Sequence, residues 1–143
     1  MPGFLDCYVL APSRTARSAE DFLDNFLPER TQSFDSMDPA EVLGIPLIST
    51  LRDVLLFLED HPALEYRMYW RNTQDAEPYH AHLSFNTDGT LILGLSVCDN
   101  HKPDVAEQFL RQLESFAGTG RGVLAWETPP PGNEDAFRAL SKE

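Results

Sequence analysis

The stretch YHAHLSFNTDGTLILGLSV, residues 79–97, constrains the fold more than any other part of the chain. Tyr79, Ala81, Leu83 and Phe85 alternate with His80, His82, Ser84 and Asn86. Beyond the turn, Leu91, Leu93, Leu95 and Val97 alternate with Ile92, Gly94, Ser96 and Cys98. A period of two belongs to strands with one face in a core. Paired strands must also bring their apolar sets to the same face. A loop of Asp88-Gly89 alone would oppose Ser84 to Leu93 and mix the faces. A loop of Thr87-Asp88-Gly89 opposes Phe85 to Leu91 and Leu83 to Leu93, and the faces agree. That loop is a type I turn followed by a left-handed residue, which Gly89 supplies without strain.

This register puts His82 opposite Gly94 and His80 opposite Ser96, on the face turned away from the core. Two histidines at this spacing offer two metal ligands, but a third has no ligand-like spacing nearby, so no metal is expected. Solvated or partner-facing histidines are the expectation.

The rest of the chain supplies partners for the hairpin. FLDCYVL at 4–10 reads as a strand. A helix follows from Ser18, with Ser18 as cap, Asp21 answering it, and Phe22, Leu23, Phe26 and Leu27 on one face. DPAEVLG at 38–44 predicts a short turn of helix between Pro39 and Gly44. Thr50 and Asp53 repeat the capping spacing, and Leu51, Val54, Leu55 and Leu58 make a buried stripe that Pro62 closes. EYRMYWRN alternates Tyr66, Met68 and Trp70 with Arg67, Tyr69 and Arg71, as a strand does. A further helix runs from Pro103 to Gly118, burying Val105, Phe109, Leu110, Leu113 and Phe116. RGVLAWE is a last strand ended by three prolines, and Asn133 caps a final short helix. The expected architecture is one α+β domain over 1–143: an antiparallel-rich sheet of four to five strands, with helices packed on one face, in the order β-α-α-β-β-β-α-β-α.

Chemistry is sparse. There is neither a GxSxG elbow nor a Walker loop. GTGRG at 118–122 follows a helix and precedes a strand, the reverse of a phosphate loop, and reads as a helix stop. Cys7 and Cys98 are far apart, flanked by apolar strand residues, and fit reduced thiols. No catalytic residue and no cofactor is expected. With no apolar run near the length of a membrane span and no secretory pattern at the start, the sequence predicts a cytoplasmic protein that enters no membrane.

Charge points to a partner. The chain carries 23 acidic and 11 basic residues, a net of −12. Residues 18–65 hold 11 of the acids and only Arg30 and Arg52 as bases, a local net of −9. Such a surface repels nucleic acid and steers basic proteins toward it. Within that segment Asp35, Asp38 and Glu41 fall in an irregular stretch, where binding residues are commonly displayed. They are the first partner-binding candidates, with His80 and His82 the second.

The strand YRMYWRN, the hairpin HLSFNTDGTLILGLSV, an amphipathic helix and the close GVLAWETPPPGNEDAF together resemble immunity proteins of bacterial polymorphic-toxin systems, over roughly residues 64–137. The resemblance implies a cytoplasmic protein that binds and blocks one cognate toxin. The acidity adds that this toxin is basic. Residues 18–65 have no counterpart in the likeness, so it carries no binding residues over. The alternative from the residues alone is a domain that binds or transforms a small ligand on the polar sheet face around His80, His82 and Tyr69.

Overall fold

The computed structural model describes residues 4–32, 50–74, 76–98, 103–126 and 129–141. Asp35, Asp38, Glu41 and the short helix expected at 38–44 lie outside the described residues. Among those described, the elements are β1 (Phe4–Leu10), α1 (Ala16–Phe26), β2 (Arg30–Gln32), α2 (Leu51–Asp60), β3 (Tyr66–Asn72), β4 (His80–Phe85), β5 (Leu91–Cys98), α3 (Pro103–Ala117), β6 (Val123–Trp126) and α4 (Glu134–Ser141).

The fold is α+β, built on one antiparallel sheet of six strands in the order β2-β3-β4-β5-β1-β6. The expected four to five strands become six because Arg30–Gln32 pairs with the end of β3. Three polar residues show no alternation, so nothing local marks them as a strand. The β4–β5 hairpin has the register that its side-chain pattern requires: Phe85 faces Leu91, Leu83 faces Leu93 and His82 faces Gly94. Its loop is closed by Asn86 N–H to Thr90 O at 2.9 Å, and Gly89 takes φ +86°.

One face of the sheet carries Cys7, Met68, Leu83, Phe85, Leu93 and Leu95, all essentially inaccessible, against α1, α2 and α3. Burying each large side chain is worth roughly 1.5–3 kcal/mol. α1 brings Ala19, Phe22, Leu23 and Phe26 to this core, and the Phe26 ring meets Phe116 of α3 at 5.7 Å. The cap of α1 is Thr15, not Ser18: the Thr15 hydroxyl accepts the Ser18 N–H at 3.2 Å. The helix therefore starts earlier, with buried Ala16 as its first residue, and the Glu59 carboxylate takes the Ala16 N–H at 2.8 Å. α2 begins as expected, with Thr50 Oγ1 accepting the Asp53 N–H.

The helices are not confined to one face. α4 crosses to the other side, where Phe137 packs with Tyr8, Leu10, Ile92 and Val123 in a second, smaller cluster. Ile92 and Leu10 sit on the face that alternation marks as polar, and they create a landing place for this helix. The linker to α4 is tied to the hairpin: Asn86 Nδ2 donates to Pro131 O at 3.2 Å, and Glu134 N–H donates to Asp88 at 2.8 Å. Asn133 caps α4 through the Ala136 N–H at 2.7 Å. The second face is thus half roofed, by α4 and the prolines before it.

Candidate binding site on the second sheet face

Cross-strand register brings the site together. One row across the sheet runs Tyr69, His82, Gly94, Tyr8; the next runs Arg71, His80, Ser96, Asp6. Adjacent rows on one face are neighbours, so Asp6, Ser96 and His82 converge although they come from three strands. The Ser96 hydroxyl donates to Asp6 Oδ1 at 2.6 Å, and His82 Nε2 lies 2.7 Å from Ser96 Oγ. With its proton spent on the carboxylate, Ser96 can only accept from His82. The imidazole is therefore the Nε2–H tautomer, and Nδ1 carries a lone pair. Nδ1 is sealed from solvent and has no hydrogen-bond partner among the described residues.

Gly94 makes this stacking possible. A Cβ there would stand 2.9 Å from the Tyr8 ring and 3.2 Å from His82 Nδ1. Without one, Tyr8 and His82 close over β5. Tyr69 meets His82 edge-on from the other side, with ring centroids 5.3 Å apart, and Tyr8 does so at 6.0 Å.

His82 is consequently not solvated, as the alternation alone suggests; it is 7% exposed. Its face points away from the main core, but two tyrosines flank it and the proline segment crosses beside it. Burial, and to a lesser degree His80, lowers its pKa to about 4, so it is neutral at physiological pH. Burial and then the Asp6 charge push the Tyr8 phenol up, and the same two causes raise the Cys7 thiol to about 12. Cys7 is thereby an inert core thiol, with Sγ 3.4 Å from Ala106 O. His80 is half-buried at the open side, where its ring lies 4.6 Å from Tyr79 and 5.4 Å from Phe4.

Together these residues enclose an open cavity of about 350 Å³. Its walls are Phe4, Tyr8 and Tyr69, its floor Asp6, Ser96 and His82, and one rim Pro129 and Pro130. Beyond it the unroofed part of the face continues as Arg71 and His80, with the exposed Tyr79 ring against His80.

The floor is wrong for nucleophilic catalysis. A serine nucleophile needs a histidine to take its proton, and that histidine needs the acid behind it. Here the serine stands in the middle, between acid and histidine. No group of three or more His, Cys, Asp or Glu side chains among the described residues could hold a metal ion. No described helix is long and apolar enough to cross a membrane. Of the two histidines, His82 lines the cavity, while His80 lies beside it, its ring 5.4 Å from that of Phe4. Asp6 and Ser96, which complete the cavity floor, are not singled out by any motif; the one local signal is an acid at Asp6 within the otherwise apolar FLDCYVL.

Compared with protein-family models, with curated proteins and with solved structures, the chain matches none.

Proposed function

We propose that this chain is a binding protein, and specifically an immunity-type protein that neutralises a basic toxin domain by covering it. The observation that carries the reading is the half-roofed second sheet face. A cavity with no nucleophile-base geometry opens there, with Tyr69 in its wall and Arg71, Tyr79 and His80 beside it. Tyrosine and arginine are the residues that most often anchor protein interfaces, because they join a large apolar area to fixed polar groups. The net charge of −12 adds long-range attraction for a basic partner. Asp35, Asp38 and Glu41 belong to the segment where that charge is densest, and the proposal gives them the steering role.

The test is protection. The chain is co-expressed with the product of the reading frame next to its own gene, which is also expressed alone as the toxicity control, and growth and co-purification are measured. Rescue with a stable complex is the expected result; growth arrest despite abundant folded protein counts against the reading. In the complex, neutralising Asp35, Asp38 and Glu41 together slows association by about tenfold or more at low salt and flattens its salt dependence. An unchanged on-rate across salt would leave that segment a solubilising surface only.

A further inference from the structure

We infer that the cavity over Asp6, Ser96 and His82 receives a guanidinium group, an arginine side chain projecting from the partner. This inference rests on the binding reading above and names the chemistry its cavity recognises.

The lining decides the chemistry. Among the described residues that line the cavity, Asp6 is the one acid and no Lys or Arg is present, while His82 is neutral. Asp6 is 6% exposed, and its field raises both Tyr8 and Cys7, so a negative potential is present where the floor lies. The internal hydrogen bonds reinforce it. The Ser96 proton is turned toward Asp6 and the His82 proton toward Ser96, so neither is offered to a guest. The Nδ1 lone pair beneath the floor faces no donor among the described residues and adds to the same potential. On the floor an anion would meet acceptors only; the hydroxyl donors, of Tyr8 and Tyr69, stand on the walls.

The walls select among cations. Phe4, Tyr8 and Tyr69 present aromatic surface, which attracts a desolvated cation through the ring quadrupole. A guanidinium is flat, weakly hydrated and rich in donors, so it stacks on rings while bonding to a carboxylate; a strongly hydrated ammonium does this less well. Pro129 and Pro130 add an apolar rim against which the methylene stem can lie. Arg67 stands near enough to act on Tyr8, and its charge opposes a second cation. It lines no part of the cavity, whereas Asp6 does.

The experiment needs no partner. Isotope-labelled protein is titrated with Nα-acetyl-arginine amide, and its backbone amide shifts are followed. The matching citrulline compound has nearly the same shape without the charge. Saturable shifts centred on Asp6, His82, Gly94 and Ser96 are expected with the arginine compound. The citrulline compound and the lysine analogue should bind about tenfold or more weakly. Asp6→Asn should abolish the response. Should Asp6→Asn not fold, Tyr69→Leu, at a half-exposed position, serves instead and weakens binding several-fold. Equal binding of the citrulline compound overturns the inference, as does the absence of localised shifts at tens of millimolar ligand, or tighter binding of a nucleoside at the same residues. Protection in the co-expression assay does not depend on this outcome. Protection without arginine binding would refute the cavity's role alone, and arginine binding without protection would refute the toxin reading alone.

Discussion

The guanidinium of Arg14 lies 5.1 Å from the centroid of the Phe85 ring and, among the described residues, donates to four main-chain carbonyls. Its acceptors are Leu58 O at 2.9 Å, His61 O at 3.1 Å and Leu64 O at 2.6 Å, at and just beyond the end of α2, with Asn86 O at 2.8 Å in the hairpin. Carbonyls at the end of a helix lack partners within it, and a buried end needs them supplied. Arg14 supplies them and joins α2 to the β4–β5 hairpin. Burial lowers its pKa, but an arginine remains charged at any ordinary pH.

Replacing Arg14 should therefore cost more than a surface arginine. Arg14→Met keeps the stem and strands buried carbonyls, at a cost of roughly 1.5–3 kcal/mol, read as a lower urea midpoint. Arg14→Lys should recover only part of the loss, because an ammonium cannot span the acceptors that a planar fork reaches. A midpoint within error of wild type for Arg14→Met would remove Arg14 from the stabilising framework.

Stability should fall in mild acid through His82. Its pKa is about 4 folded and about 6.5 when exposed by unfolding. Between those values the unfolded chain binds a proton that the folded chain does not, so stability declines as pH falls from about 6.5 toward about 4. The full difference is on the order of 3 kcal/mol. Above pH 6.5 the contribution is complete and flat. His82→Gln should flatten the slope of denaturation midpoint against pH over that window, and an unaltered slope would assign the acid sensitivity to other groups.

Gly94→Ala should destabilise the protein although the residue lies mid-strand, where alanine is usually better tolerated. The added methyl would meet the Tyr8 ring at 2.9 Å, and Tyr8 is too enclosed to swing away. Overpacking of this kind costs roughly 1–3 kcal/mol. Tyr8→Leu made in the same molecule should restore part of that loss, so thermal midpoints of the two single variants and the double variant should be non-additive. Strict additivity would mean that Tyr8 and Gly94 do not share the space.

Neighbouring residues alone specify the hairpin, the caps at Thr50 and Asn133, and the stop at Gly118. Each rests on interactions spanning only a few positions: a period of two, a hydroxyl three residues before an amide, a glycine where φ is +66°. The first helix was legible as a helix, but Thr15 and Ser18 both offer a hydroxyl, and the burial of Ala16 against the sheet chose between them. Alternation also placed His80 and His82 on the correct face. It could not say that this face is half covered, because the cover comes from Pro129–Pro131 and Phe137, whose route depends on β6 pairing with β1. The floor of the cavity lay further still from any local signal. Ser96 reaches Asp6 across 90 positions of sequence, and they meet only because β1 inserts between β5 and β6. A short-range pattern shows which face a side chain occupies; the long-range pairing of strands decides what stands beside it and whether water reaches it.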